Sequence, residues 1–232
     1  MTALLGAMRR ERNGAVADAM HPVGTPYGLN YGVSLPTLRQ LARAEAPDYE
    51  FAKYLALQDV RELRLAAYHI ADPDRLIPEE FSFWAEGIVN SELAEEAAFA
   101  LLHRIPDFGT LFHLWTAPEM PWTLRYAALM AASRRADPDP AWIDRALDTV
   151  HRAAEAAERA ARSSAANAEA EAAAVSAREA SLLIARGAVA LLVRIASRNG
   201  ESRQAVLLAV GSLGRLRAED YVHEELAWQL DL

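Results

Sequence analysis

Glu62-Leu63-Arg64-Leu65-Ala66-Ala67-Tyr68 is the first of three related stretches that decide the fold of this chain; the others are Glu95-Glu96-Ala97-Ala98-Phe99 and Thr123-Leu124-Arg125-Tyr126-Ala127-Ala128-Leu129. The first alanines of the three small-small-bulky triplets are 31 and 30 residues apart. A period of this length is typical of solenoids built from stacked helix pairs. We therefore expect the helices that carry Ala66, Ala97 and Ala127 to lie parallel in successive layers, because small residues allow close helix approach.

The rest of the chain has the same helical character. Apolar residues recur at helical spacing, and no segment alternates with period two for long enough to form a strand, so the predicted fold class is all-α. Helices are predicted at 2–20, 60–71, 79–89, 92–104, 107–115, 122–134, 202–213 and 218–230. The predicted helix N-caps are Ser34, Asp48 and either Asn90 or Ser91, and Asp59 with Glu62 forms the pattern of a capping box.

An alanine-rich stretch interrupts the apolar pattern between Ala153 and Ala180, where 15 of 28 residues are alanine. Alanine has a high helix propensity, but it provides almost no hydrophobic face to bury. Two interpretations fit: a long exposed helical hairpin that turns near residues 163–167, which we favour, or a partly mobile insertion.

Composition limits the class of protein. The chain has no cysteine, which excludes a disulfide framework and a thiolate metal site. The charges of the N-terminal segment follow its short apolar run, which is the reverse of a signal peptide, and no run approaches the roughly 20 apolar residues of a membrane helix. We therefore expect a cytoplasmic protein that does not associate with a membrane.

The charge pattern bears on nucleic-acid binding. A net charge of −8 opposes DNA binding through overall basicity, but it leaves room for a local basic stripe. All but one of the 24 basic residues are arginine, which binds phosphate as a bidentate fork. A biased genome composition explains the same preference, so the arginines alone do not identify a DNA-binding protein.

Motifs for cofactors and metals are absent from the sequence. No two of the six histidines stand at i, i+3 or i, i+4 on one predicted helix, so a zinc-type pair is excluded. There is no P-loop, dinucleotide fingerprint or nucleophile elbow. The sequence therefore predicts no cofactor and no metal site.

The segment Tyr27-Gly28-Leu29-Asn30-Tyr31-Gly32-Val33-Ser34-Leu35-Pro36-Thr37-Leu38-Arg39-Gln40-Leu41-Ala42 resembles the beginning of the AlkD-like DNA alkylation repair proteins. In that family Gly-Val-x-x-Pro-x-Leu-Arg-x-Leu-Ala precedes HEAT-like repeats. The resemblance implies an α-α superhelix of HEAT-like antiparallel helix pairs. It implies a single domain over residues 1–232, with residues 150–181 as an Ala-rich helical insertion.

The same resemblance suggests a catalytic residue. AlkD-like glycosylases carry a Trp-Asp-x-x-Asp motif. When this motif is aligned with residues 91–95, Ser91 stands at the tryptophan, Glu92 at the first acid and Glu95 at the second, catalytic acid. A carboxylate in that place would stabilise the cationic sugar that forms as an alkylated base leaves. A helix N-terminus also favours glutamates in its first turn without any catalysis.

Two further family motifs imply DNA contacts. Trp-x-Arg-Arg-x-Ala matches residues 122–127, where Leu124 replaces one arginine and Arg125 keeps the other. Lys-Gly-x-Gly-Trp-Ala-Leu-Arg-x-Ile-Ala resembles residues 186–196, where Ala190 replaces the tryptophan and removes a stacking surface. The residues expected to contact DNA are Trp122, Arg125, Arg186, Arg194, Arg39 and Arg64.

These observations predict a DNA alkylation repair family protein that binds duplex DNA in the concave groove of a HEAT-like solenoid. Cleavage of N-glycosidic bonds is expected to be weak or lost, because the aromatic and aspartate motif is eroded. The alternative is a non-enzymatic scaffold for protein partners. The local distribution of charge distinguishes the DNA-binding hypothesis from the scaffold hypothesis. DNA binding is favoured if one surface gathers the arginines at positions 39, 43, 64, 104, 125, 186 and 194. A scaffold is favoured if these arginines are scattered and salt-bridged.

Overall fold

The computed structural model describes residues 2–20 and 27–231, and these are almost entirely helical. The α-helices are α1 (Thr2–Arg10), α2 (Gly14–Met20), α3 (Leu35–Arg43), α4 (Tyr49–Ala56), α5 (Arg61–Ile70), α6 (Phe81–Gly87), α7 (Ser91–Ala100), α8 (Phe108–Trp115), α9 (Trp122–Ala132), α10 (Trp142–Ser163), α11 (Ala168–Ala196), α12 (Gly200–Val210) and α13 (Arg217–Gln229). Short 3-10 turns lie at Pro73–Arg75, Pro78–Glu80, Leu102–Arg104 and Ser164–Ala166. Apart from one isolated bridge between Leu29 and Val60, the described residues form no β-structure. None of their helices is long and apolar enough to cross a membrane.

The chain divides into two compact units, one ending at Phe108 and the other beginning at Gly109. The single domain over residues 1–232 and the status of 150–181 as an insertion stay predictions.

In the first unit, α5 packs between α3 and α7. Arg61, at the start of α5, bonds to Glu92 in the first turn of α7. His69, near the end of α5, reaches Glu96 one turn further along α7. The two helices therefore run in the same direction, as the repeat predicts. Ala66 and Ala97 are fully buried, which allows this close packing.

In the second unit, α9 and α11 are paired in the same way. A methyl group added at Gly187 of α11 would lie 3.0 Å from Cβ of Leu129 in α9, so the helices are nearly in backbone contact. Further along, Arg194 of α11 donates to the carbonyl oxygens of Arg135 and Ala136, just after α9 ends. These two helices also run in the same direction.

The alanine-rich stretch forms the helical hairpin that we favoured. The chain turns through Ser164–Ala166, and Asn167 caps α11 by accepting a hydrogen bond from the amide of Ala170 at 2.8 Å. The returning helix continues without a break into the apolar segment and ends at Ala196. The second helix of the hairpin and the apolar segment that follows it are therefore one helix of 29 residues.

Three predicted helix boundaries were wrong. The helix expected at 2–20 is two helices, because Asn13 accepts a hydrogen bond from the amide of Val16 and begins α2. The helix expected at 92–104 ends at Ala100 and continues as a 3-10 turn. The helix expected from residue 202 begins at Gly200, where Asn199 is its cap.

The predicted capping box at Asp59 and Glu62 was also wrong. The helix begins after Val60 without a side-chain cap, and the buried Glu62 accepts hydrogen bonds from the backbone amides of Tyr31 and Val33. This carboxylate therefore holds the loop before α3 against α5. The N-caps predicted at Ser34, Asp48 and Asn90 are confirmed.

The loop before α3 approaches α2 closely at Gly32. The backbone φ of Gly32 is +69°, and a Cβ atom there would lie 2.1 Å from the carbonyl oxygen of Asn13. Only glycine fits both the left-handed conformation and this contact. Residues 21–26, between α2 and this loop, lie outside the described residues.

Candidate nucleic-acid interface

A buried arginine organises the start of α7. Arg61 is 2% exposed, and its guanidinium bonds to both carboxylate oxygens of Glu92, to Glu62 at 3.1 Å and to the carbonyl oxygen of Val33 at 3.0 Å. The hydroxyl of Tyr27 donates to Glu92 at 2.9 Å. Burial, followed by the charge of Glu92, raises the pKa of Tyr27, so the phenol stays protonated. Glu92 is thereby a structural group that fixes the loop before α3.

One helical turn later, Glu96 is the centre of a second buried cluster. Arg39 of α3 donates to its two carboxylate oxygens at 2.9 and 2.7 Å, and Nε2 of His69 lies 2.5 Å from Oε1. The side chains of Glu96 and His69 are only 2% and 3% exposed. Burial alone would raise the pKa of Glu96, but the hydrogen bonds from Arg39 and His69 lower it to about 2.

Above this cluster lies a surface hollow of about 450 Å³, which we call the Phe99 hollow. It is lined by Arg43, His69, Phe99, Ala100, His103 and Arg104. A second hollow of about 580 Å³, lined by Pro36, Arg39, Gln40, Arg43 and Ala44, shares Arg43 with it. Arg39, Arg43 and Arg104 thus form a continuous surface, which we call the arginine strip.

The positive charge of the arginine strip is only partly balanced by carboxylates: Glu96 pairs with Arg39, and Asp72 acts on Arg104. Among residues 2–20 and 27–231, those lining the two hollows include no aspartate or glutamate. Burial and then the charge of Arg43 lower the pKa of Arg104, with Asp72 acting in the opposite direction. Two guanidinium groups that repel each other in this way favour an anion between them.

The Phe99 ring lies within this strip. The guanidinium carbon of Arg39 is 4.4 Å from the ring centroid and that of Arg43 is 5.7 Å away, both within cation–π range. The His69 ring is 6.4 Å away at an interplanar angle of 60°. The hollow therefore combines phosphate-binding side chains with an aromatic surface.

Comparison with known proteins identifies the relatives of this chain. The sequence profile of the family described as DNA alkylation repair enzyme matches residues 3–184. The chain belongs to that family. No individually curated protein gives a significant match.

The family's fold is found in this chain as well. A solved structure described as "a new family of proteins related to the HEAT-like repeat DNA glycosylases with affinity for branched DNA structures" superposes with a TM-score of 0.67 at 14% sequence identity. The alignment covers 98% of this chain and 94% of that chain. The predicted fold class, an all-α superhelix of HEAT-like helix pairs, is confirmed, and the low identity fits a divergent family member.

The structure separates the arginines that the sequence grouped. Arg39 lies on the strip, whereas Arg64 donates to the carbonyl oxygen of Gln58 at 2.9 Å and to Asp59 at 3.1 Å. Arg64 also lines a different hollow of about 250 Å³, together with Trp84. It is therefore not part of the arginine strip.

In the second unit, the family motif residues are differently placed. Arg125 is half-buried on α9, burial lowers its pKa, and its Nε has no hydrogen-bond partner among the described residues. Trp122 is partly exposed at the start of α9, and Arg186 is exposed on α11. Arg194 donates to the backbone carbonyl groups of Arg135 and Ala136 just after α9, and its role in binding DNA stays a prediction.

The carboxylate predicted to be catalytic, Glu95, is partly exposed on α7. It stands four residues before Phe99, so both side chains lie on one face of the helix. Phe99, His69 and His103 line the Phe99 hollow although the sequence motifs point to none of them. The available signal for Phe99 was its place as the bulky residue of the second repeat triplet. Among the described residues, no group of three or more His, Asp or Glu side chains is arranged to hold a metal ion.

Proposed function

We propose that this DNA alkylation repair family member binds duplex DNA through backbone phosphates, with the arginine strip as the anchor in the first unit. The observation that carries the proposal is the strip itself: three arginines line two adjoining hollows, and no described carboxylate lines either. Arginine is the side chain best suited to bidentate phosphate binding.

The three arginines contribute unequally. Arg39 is held by both oxygens of Glu96, so much of its charge is already balanced. Arg43 lies over the Phe99 ring, and Arg104 bonds to the carbonyl oxygen of Ala100. We therefore expect Arg43 and Arg104 to provide most of the attraction for phosphate.

The overall charge of −8 makes this binding weak and dependent on salt. Two to three phosphate contacts predict that log K falls with log salt with a slope of about −1.8 to −2.7. Raising the salt from 50 to 200 mM should then weaken binding about 10- to 40-fold.

For catalysis, we propose that release of alkylated bases is weak or lost. Glu95 could stabilise a cationic sugar, but a lesion must also be held, and Ser91 and Ala190 provide no aromatic surface at the positions of the family tryptophans. Glu92, at the place of the first acid of the motif, is engaged by Arg61. A glutamate at position 95 also reaches one methylene further than aspartate, and a displacement of about 1 Å can cost 100-fold in rate.

The test is a titration of labelled DNA at 50 and 200 mM salt. The two probes are a 20-base-pair duplex and a four-way junction whose arms are equal in length. The junction is included because the similar solved structure is of a protein with affinity for branched DNA. The double variant Arg43→Ala/Arg104→Ala should weaken binding at least tenfold. The matched control is Arg152→Ala, which removes an exposed arginine that pairs within its own helix. Equal losses in both variants would refute the strip as the anchor.

Base release is tested separately, by incubating the protein with methylated DNA and measuring free base. We expect release close to background. Release well above background that is abolished by Glu95→Gln would instead establish Glu95 as a catalytic residue.

A protein scaffold remains the second candidate, because one surface of the first unit exposes large apolar side chains. Leu57 is 70% exposed and Val89 is also exposed, and both line the hollow that Arg64 lines. Absence of DNA binding at 50 mM salt would favour this role. The cytoplasmic location stays a prediction in either case.

A further inference from the structure

Phe99 differs from its counterparts in the repeat. Tyr68 and Leu129 are the bulky residues of the other two triplets, and they are 3% and 0% exposed. Phe99 is partly exposed and lines a hollow. A repeat position that is otherwise part of the core therefore presents an aromatic ring to the surface, between arginines.

The Phe99 hollow has the size and chemistry of a ligand site. Its volume of about 450 Å³ lies within the range of about 300–1,000 Å³ that is usual for small-molecule pockets. Its lining includes two arginines and two histidines. These groups favour an anion, whereas the ring favours a planar, uncharged group.

We propose that the Phe99 hollow binds one unpaired nucleotide of a DNA strand. Its phosphate lies between Arg43 and Arg104, and its base packs against Phe99. This inference rests on the proposed function, because it assigns a part of the bound DNA to a part of the arginine strip. With this site, the protein distinguishes an unstacked nucleotide from a paired one.

The ring explains why the ligand is a nucleotide and not phosphate alone. A positively charged groove with an aromatic side chain is the usual combination in sites for single-stranded nucleic acid, because every base has a face that can stack. A base inside a duplex has both faces covered by its neighbours, so only an unpaired or extruded base can reach Phe99. The guanidinium of Arg39, held by Glu96, covers part of the ring, and the base therefore uses the surface that faces the hollow.

The phosphate position follows from the repulsion between the two arginines. Arg104 is bonded to the carbonyl oxygen of Ala100 and lines the same hollow as Arg43, and burial followed by the charge of Arg43 lowers its pKa. A phosphate between them removes the repulsion and satisfies the remaining donors of both guanidinium groups. Nδ1 of His103 lies 3.0 Å from the carbonyl oxygen of Ala98, so that nitrogen donates and the ring is fixed beside the site.

The experiment compares three labelled probes by fluorescence anisotropy at 50 mM salt: a fully paired 20-base-pair duplex, the same duplex with one bulged thymine, and the same bulge without its base. The unmodified protein should bind the thymine bulge about 5- to 150-fold more tightly than the abasic bulge, which is the usual contribution of one stacked base. Equal affinity for the two bulges would overturn the inference, and this comparison needs no variant.

Two variants then test the ring itself. Phe99→Leu keeps an apolar side chain and should lose the preference for the thymine bulge over the abasic bulge. Phe99→Tyr keeps a ring and should retain the preference. A Phe99→Leu protein that folds normally and still prefers the thymine bulge would also overturn the inference.

The outcomes distinguish the two proposals. If no probe binds, or if Arg43→Ala/Arg104→Ala leaves all affinities unchanged, the proposed function and the inference both fail. If the paired duplex binds in a manner that depends on these arginines but the base of the bulge has no effect, only the inference fails.

Discussion

Replacing Glu96 with glutamine should destabilise the first unit by an amount that depends strongly on pH. The carboxylate is buried and is bonded to Arg39 and His69, and its pKa falls from an ordinary 4.5 to about 2. A shift of this size corresponds to about 3 kcal/mol of folding free energy at neutral pH. Glutamine can still accept one hydrogen bond, and the partly exposed Arg39 can turn towards water, so we expect a loss of about 2–3 kcal/mol at pH 7.

The sign of the pH effect follows from the lowered pKa. A group whose pKa is lower in the folded state stabilises the protein above its unfolded pKa, and this contribution is lost as the pH falls from about 4.5 towards about 2. The difference in unfolding free energy between the natural protein and Glu96→Gln should therefore be largest at pH 6–7 and should shrink below pH 4.

Urea denaturation followed by circular dichroism at pH 7 and pH 3 measures this difference. The matched control is Glu50→Gln, which breaks an exposed pair with Arg75 at 3.4 Å and should change stability by less than about 0.5 kcal/mol. A loss for Glu96→Gln no larger than that of the control, or equal losses at both pH values, would refute the reasoning. The variant also leaves the charge of Arg39 unbalanced, so its affinity for duplex DNA should increase.

Three further changes test other contacts. Gly187→Ala forces a methyl group against α9 and should destabilise the protein by about 1–3 kcal/mol. Its control is Gly109→Ala, where the methyl group meets open space and should leave stability unchanged or slightly increased. Thermal melts of the two variants compare these effects directly. Asn90→Ala removes the N-cap of α7 and should lower the unfolding free energy by about 0.5–2 kcal/mol in urea titrations, and an unchanged midpoint would contradict this. The hydrogen bond to Glu219 raises the pKa of His151. The small stabilisation that this hydrogen bond provides should therefore be complete below about pH 6.5 and should disappear as the pH rises through the raised pKa. His151→Gln should make the dependence of Tm on pH flatter between about pH 6 and 8.

The sequence was most informative where structure depends on near neighbours. Ser34, Asp48 and Asn90 were recognised as caps because each side chain bonds to an amide three residues later, which local spacing reveals. The spacing of the alanine triplets likewise predicted repeated helices that pack closely, since small residues matter at every contact between neighbouring layers.

The sequence was least informative where partners are far apart along the chain. Glu62 has the spacing of a capping residue, yet it bonds to Tyr31 and Val33, about 30 residues away. The grouping of Arg43 with Arg104 likewise depends on how α3 and the turn after α7 meet, and no local pattern encodes that meeting. The positive charge of this surface depends on which residues lie beside Arg43 and Arg104, and the net charge of the whole chain does not indicate it.

The contacts of Glu92 constrain how this family member could change during evolution. Aspartate at this position would be shorter by one methylene and would withdraw its carboxylate from Arg61, which is buried and has few other partners. A single substitution towards the acid of the family motif would therefore first weaken the attachment of the loop before α3. An aspartate at position 92 would therefore need a compensating change at Arg61 to keep the loop in place.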